Sequence, residues 1–156
     1  MTLVIAVEDP ESEDVRALLE IHRRFSFDET PPEFVFALPV EGLVEPDVTF
    51  FGVRVEGTLV GMGALRRIDD THAELKSMHV RAAERRTGIG RELLTHLLQA
   101  ARAAGFRRVS LETGTMGAYA PARALYVSAG FRPCGAFGGY EPSPYNTFMT
   151  LELVAG

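Results

Sequence analysis

Apolar positions recur along this chain with two different periods, and the switch between them marks out its elements. Thr49 to Val55 and Thr58 to Arg67 are rich in β-forming residues and flank Glu56-Gly57, which predicts a hairpin. Asp69-Asp70-Thr71 supplies a second turn into a strand from Ala73 to Val80, so three antiparallel strands form a meander. Beyond a turn holding Gly88 and Gly90 the period becomes helical: Leu93, Leu94, Leu97, Leu98 and Ala101 make one apolar stripe, and Gly105 is placed to end the helix as its C′ residue. Upstream, Leu3 to Val7 reads as a short strand. Asp9 then serves as N-cap with Pro10 at the first helical position, and Val15, Leu18, Leu19 and His22 carry a helix to about Arg24. From Phe25 to Pro46 periodicity is lost among Pro31, Pro32, Pro39, Gly42 and Pro46, and irregular segments of that length often serve as binding loops or lids.

In the second half, Val109 and Leu111 alternate with Arg108, Ser110 and Glu112, which predicts a strand over Phe106 to Glu112. A helix from about Ala118 to Ala129 tolerates Pro121 in its first turn and stops at Gly130. Phe131 to Phe137 and Thr147 to Leu153 close the chain as strands around the loop Gly138 to Asn146. The order β-α-(irregular)-β-β-β-α-β-α-β-β, without repeat, linker or low-complexity tract in 156 residues, fits one domain spanning residues 1–156.

Composition narrows the function. A formal charge of −5 speaks against nucleic acid or an anionic membrane surface as a partner, since both require an extended basic face. The apolar run Leu3 to Val7 is too short for a signal segment and no stretch is long enough to span a bilayer, so a soluble, cytoplasmic protein is expected. Cys134, the only cysteine, allows neither an internal disulfide nor a cysteine-based metal cluster, and no metal is expected. Against this acidic background Arg81, Arg85, Arg86 and Arg91 crowd the turn Arg85-Arg86-Thr87-Gly88-Ile89-Gly90. A glycine turn opening a helix leaves backbone N–H groups unpaired at the positive end of the helix dipole, which is a phosphate site. A dinucleotide fingerprint is the main competitor for this turn, with Glu112 near the place of a ribose-binding acid, but its sixth position would be Leu93, where a small residue is needed. A Walker loop fails because no Lys-Ser/Thr pair follows the glycines.

The run Glu74-Leu75-Lys76-Ser77-Met78-His79-Val80, then Arg85-x-x-Gly88-x-Gly90, then Ala122-Arg123-Ala124-Leu125-Tyr126 ending in Gly130-Phe131, resembles the GNAT superfamily of acetyl-CoA-dependent N-acetyltransferases. The resemblance covers nearly the whole chain. It implies an α+β, three-layer fold whose mixed, mainly antiparallel central sheet of about six to seven strands is flanked by helices. It also implies acetyl-CoA as co-substrate, its pyrophosphate held by Arg85, Arg86, Thr87, Gly88, Ile89, Gly90 and Arg91 and its pantetheine arm by the backbone of Met78, His79 and Val80. Tyr126 resembles the tyrosine that faces the coenzyme sulfur as general acid, and Glu74 occupies the strand position where some members keep a glutamate that deprotonates the amine directly or through water. In one respect the chain departs from the pattern: Tyr119 stands where many members have a cofactor-contacting asparagine, a role that Thr113, Thr115 or water would then fill.

Acetyl transfer to an amine needs a neutral nucleophile, a donor for the carbonyl oxygen and a proton for the departing thiolate. A phenol such as Tyr126 donates at neutral pH without bringing charge into a desolvated site. A carboxylate on a buried strand, as expected of Glu74, suits a base, though an ion pair with Arg66 or Lys76 is an alternative role. His79 offers alternative proton chemistry, and a backbone N–H near Met78 or His79, at a bulge, is the expected oxyanion donor. Phe25, Phe27, Asp28 and Glu29, with Tyr140 and Tyr145, are available to line an acceptor pocket with aromatic walls and acidic ends. That would suit a primary amine of a small molecule such as an amino acid or a polyamine, and a homodimer is compatible with it. A non-catalytic coenzyme A-binding domain that senses acetyl-CoA is the alternative class; the presence of both Glu74 and Tyr126 favours the enzyme.

Overall fold

The three predicted meander strands form the middle of the sheet. β2 (Val48–Val55), β3 (Thr58–Arg67) and β4 (His72–Val80) pair antiparallel in sequence order, and β1 (Leu3–Val7) adds to the outer edge of β2. On the other side β5 (Arg108–Gly114), β7 (Asn146–Glu152) and β6 (Arg132–Cys134) complete a seven-stranded sheet of order β1-β2-β3-β4-β5-β7-β6. Among the described residues, β4 and β5 alone run parallel. The computed structural model describes residues 2–85 and 87–153.

Alternation along the strands feeds two cores. Val15, Leu18 and Leu19 of α1 (Glu13–Glu29) and Leu43 of the short α2 (Val40–Leu43) pack with Phe50, Met62 and Ala64 on one face. Ile89, Leu93, Leu94, Leu97 and Leu98 of α3 (Ile89–Ala103) and Tyr126 of α4 (Ala120–Ser128) pack with Phe51, Leu65, Leu75, Val109 and Leu111 on the other. The result is the expected three layers. The α3 stripe is seated so close to the sheet that a Cβ at Gly63 would lie 2.8 Å from Leu97 Cδ1.

Several boundaries differ from those predicted. Asp9 does not cap α1; its carboxylate accepts from Glu11 N–H at 2.9 Å and its carbonyl from Ser12 N–H at 3.2 Å, so it closes a turn, and Ser12 stands at the helix start. An aspartate satisfies its own next-but-one backbone group as readily as a helix end. The helix then runs to Glu29 rather than Arg24, and Thr30 turns extended before Pro31, as a residue preceding proline must. Pro32–Phe34 forms a 3₁₀ turn inside the segment predicted to be irregular. Further on, β5 is shifted two residues downstream, α4 begins at Ala120 after a 3₁₀ turn over Gly117–Tyr119, and β6 stops at Cys134. Pro133 restricts β6 to the sheet edge, and Phe137 leaves the sheet to pack its ring on Tyr140 and Phe148 at 5.2 and 5.9 Å.

Gly63→Val should overpack the α3 contact and cost about 1–3 kcal/mol, read as a lower midpoint in urea unfolding with an unchanged slope. An unchanged midpoint would show that α3 can shift away from β3 freely.

Candidate active site

β4 and β5 pair through only three residues each: His72, Ala73 and Glu74 against Arg108, Val109 and Ser110. Beyond them each strand follows its outer neighbour, β4 as far as the Val80–Gly61 pair and β5 as far as Gly114–Asn146, so the two diverge. A bulge helps turn β4 away: Ser77 and Met78 together face Gly63, and Ser77 adopts a left-handed φ of 57°. The closed end is tied by a buried polar chain. His72 Nε2 lies 2.7 Å from Ser110 Oγ, which lies 2.8 Å from Thr150 Oγ1 across on β7.

The wedge becomes a cavity of about 790 Å³ that passes through the sheet. On the α3 and α4 face it is lined by Arg85, Gly88, Gly90, Arg91, Leu125 and Tyr126, and on the α1 face by His22, Phe25, Phe34, Phe36 and Tyr119. Ser77, Met78, His79 and Val80 of β4 and Leu111, Glu112 and Thr113 of β5 form its sides. Gly88 sits at the start of α3 with φ 87°, and the space where a side chain would stand is open, so the backbone there is approachable. Ser77 Oγ, on a residue only 8 % exposed, has no hydrogen-bond partner among the described residues, and Ser77 borders this cavity. A buried orphan hydroxyl of this kind is satisfied by a polar group entering the cavity.

The expected cofactor residues mostly meet here. Met78, His79, Val80, Arg85, Gly88, Gly90 and Arg91 line the cavity; Thr87 instead caps the 3₁₀ turn by donating to Glu84 O, Ile89 is buried in the α3 core, and Arg86 lies outside the described residues. Tyr126 comes from α4 and is 7 % exposed, and burial and the Glu112 carboxylate push its phenol well above the ordinary value, so it keeps its proton.

The acceptor residues divide. Phe25 lines the cavity, with its ring 5.2 Å from that of Tyr119 and 6.4 Å from that of His79. Phe27 is 46 % exposed, under the Arg23 guanidinium at 5.9 Å, and Asp28 and Glu29 are also exposed, because the extra turns of α1 rotate these side chains outward. Tyr145 stacks on Phe34 at the rim. Tyr140 is drawn behind the wall, where its hydroxyl donates to Glu74 Oε2 and accepts from Lys76 Nζ at 2.7 Å.

Glu74 itself is 1 % exposed and does not line the cavity. Both ion pairs weighed from the sequence are made: Arg66 Nη2 at 3.3 Å and Lys76 Nζ at 3.5 Å. Lys76 also donates to Phe36 O at 3.1 Å, which ties the Pro31 to Leu38 strap to β4. The sequence reading missed two wall groups. His22 shares a hydrogen bond with His79, Nδ1 to Nδ1, at 3.1 Å. Glu112, weighed only as a ribose-binding acid, borders the cavity; the polar alternation of β5 could have placed it on the α1 face. Tyr119 lines the cavity, its hydroxyl bonded to Thr30 Oγ1 at 3.0 Å, and a Cβ on Gly114 would overlap its ring.

The family model described as "Acetyltransferase (GNAT) family" matches residues 15–131. The chain belongs to the GNAT family. The uncharacterized N-acetyltransferase YsnE of Bacillus subtilis is 38 % identical over 96 % of the chain and 99 % of its own length. A protein of Azospirillum brasilense named IAA acetyltransferase is 38 % identical over 97 % of the chain and 98 % of its own. A solved structure from Klebsiella pneumoniae, described as an acyl-CoA N-acyltransferase, superposes with a TM-score of 0.79 at 27 % identity, covering 98 % and 99 % of the two chains. This GNAT protein is therefore an acetyltransferase of the α+β fold that its motifs implied. No helix among the described residues is long and apolar enough to cross a membrane.

The histidine pair has a measurable consequence. Burial lowers His79 to about 4 and His22 to about 3, each with neighbouring positive charge adding to the effect, so both are neutral in the folded protein. The unfolded chain binds these protons below the ordinary 6.5, so stability from the pair is full above that pH and is lost as pH falls from about 6.5 towards 4. Thermal melts across that window should decline, and the double variant His22→Asn with His79→Asn should flatten the decline. An equal slope in both proteins would assign the loss to other groups.

Proposed function

We propose that this GNAT protein moves the acetyl group of acetyl-CoA to a primary amine of a small molecule, by direct attack with both substrates bound. The single observation that supports this most is the through-sheet cavity, which joins a glycine turn set among arginines to an aromatic chamber and has Tyr126 in its lining. When bound, acetyl-CoA supplies an activated acetyl thioester. The N-terminal turn of α3, with Arg85, Arg86, Thr87, Gly88, Ile89, Gly90 and Arg91, would hold its pyrophosphate, and the backbone of Met78, His79 and Val80 its arm. A backbone N–H near Met78 or His79, at the β4 bulge, would donate to the carbonyl oxygen, and Tyr126, kept neutral, would donate its proton to the leaving sulfur. Glu74, set behind Lys76 and Tyr140, fits the indirect form of its expected role, in which a proton reaches it through water. Phe25 is the expected acceptor contact that borders the chamber, while Phe27 and Glu29 could reach an acceptor only at the outer rim and Tyr140 acts through Lys76.

The aromatic chamber suits an acceptor with an apolar or aromatic body. An acceptor screen that follows thiol release should therefore include aromatic amines beside amino acids and polyamines. It should also include the IAA of the Azospirillum relative's name. No release above background with any of them would defeat the small-molecule reading.

Two variants test the machinery. Gly88→Val places a branched side chain where phosphate would approach, and calorimetry should show acetyl-CoA affinity reduced about tenfold or more, with a smaller salt dependence; undiminished affinity would remove the turn from the cofactor site. The left-handed backbone also costs a valine about 1–2 kcal/mol, so the melting temperature should be recorded alongside. Tyr126→Phe should keep cofactor affinity and lower turnover about a hundredfold or more. Full turnover would make Tyr126 a packing residue.

A further inference from the structure

On the α1 face, a row of rings crosses the open end of the wedge. His22, Phe25 and Ser26 of α1, with Thr30 at its end, line the cavity at the spacing of one helix face. Phe25 stands between the two diverging strands. Its ring is edge-on to that of His79, near the end of β4, at 6.4 Å and to that of Tyr119 at 5.2 Å. Both separations are those of favourable edge-to-face contacts.

Tyr119 carries the row onto β5. Its ring lies against Gly114, the last residue of that strand, so closely that any side chain at Gly114 would overlap it. Its hydroxyl reaches the buried Thr30 Oγ1 at 3.0 Å, which joins the end of α1 to the start of α4. The turn that bears it is fixed as well: Tyr119 N–H donates to Met116 O at 3.0 Å, and Arg123 Nη1 donates to Gly114 O at 2.7 Å and to Met116 O at 3.0 Å. A side chain held at its ring, at its hydroxyl and through its backbone keeps one rotamer and presents a rigid wall. The strap supplies a second wall. Phe34 and Phe36 line the cavity, and their carbonyls are tied to Asn146 Nδ2 at 3.2 Å and Lys76 Nζ at 3.1 Å. Both walls are anchored to the sheet, so the chamber widens only if one of these contacts breaks.

We propose that Tyr119 is a specificity-determining residue: held by Gly114, Phe25 and Thr30, it limits the acceptor to an amine with a single flat ring on an unbranched arm and excludes a second ring. The inference deepens the small-molecule acetyltransferase reading above and rests on it. A single ring packs edge-to-face against Phe25 and Tyr119 without rearrangement. A branched body displaces Tyr119, which forfeits both its bond to Thr30 and its packing on Phe25. A rigid apolar pocket discriminates about 10- to 200-fold for one methylene, so a whole additional ring meets a barrier at least as large.

Two probe amines test this. Phenethylamine and 2,2-diphenylethylamine share one aminoethyl arm and differ by one ring. Wild-type protein should favour phenethylamine by about a hundredfold or more in kcat/KM. Tyr119→Ala should cut that preference about tenfold or more, chiefly through a lower KM for the diphenyl amine. Tyr119→Phe and Thr30→Val each remove the same hydrogen bond and keep an aromatic ring at 119, so each should relax the preference by a smaller, similar factor, and the double variant no further than either alone. A loss of packing elsewhere lowers both rates together and leaves their ratio intact. Equal use of the two amines by the wild type, or an unaltered ratio in a folded Tyr119→Ala, would overturn the assignment. Should Tyr119→Ala fail to fold, an unaltered ratio in both Tyr119→Phe and Thr30→Val would do the same. So would wild-type protein that releases thiol with other amines of the screen and with neither of these. Failure to bind acetyl-CoA, or no release with any amine, would instead strike at the acetyltransferase reading itself.

Discussion

The parallel pairing of β4 with β5 stops after three residues, and the rest of the site depends on that stop. A full ladder would have consumed the backbone groups of Ser77 to Val80 and Leu111 to Gly114 and sealed the sheet. The two strands part instead, because each is committed to an antiparallel neighbour on its far side and because the bulge at Ser77 and Met78 increases the local twist. Such a gap is tolerable only where its closed end is secure. The His72, Ser110 and Thr150 chain provides that security with hydrogen bonds that water does not reach, backed by apolar packing on the α3 face.

On the α1 face the same constraint creates an electrostatic problem, answered by ion pairs and hydrogen bonds among the buried groups. The wedge admits charged side chains to the interior, where an unpaired charge is costly. Glu74 is therefore surrounded by two cations and a phenol, Lys76 by three oxygen acceptors, and Glu112 by an amide. These contacts also anchor the strap from Pro31 to Leu38, through Phe36 O to Lys76 and Phe34 O to Asn146. This wall of the cavity is thus tied to the sheet by polar contacts as well as by ring packing of Phe34 on Tyr145 and Phe36 on Tyr140, and the polar contacts are directional and narrow its position further.

How legible the protein was from its sequence varies with the range of the interaction involved. The α3 stripe, the hairpin at Glu56-Gly57, and Gly105 and Gly130 as helix stops at φ 93° and 102° follow from local periodicity and backbone sterics. The turn at Gly88 was readable for the same reason. Asp9 was misread because a turn and a helix start ask the same thing of an aspartate. Phe27 and Glu29 were placed with Phe25 because the end of α1 was set too early, and every further residue in a helix rotates its side chain by a fixed angle.

Tertiary structure alone decided which polar residues share the cavity. Tyr140 meets Glu74 across 66 positions, Asn146 meets Phe34 across 112, and His22 meets His79 across 57. No periodicity carries such pairings, since they depend on sheet order, on the crossover that sets β7 between β5 and β6, and on where two strands part. The amino-acid order by itself determined the elements, the glycine turn that opens α3 and the family, because those rest on contacts within a few residues. The different settings of Glu74 and Glu112 came only from the packed sheet, which enclosed one carboxylate and set the other on the cavity wall.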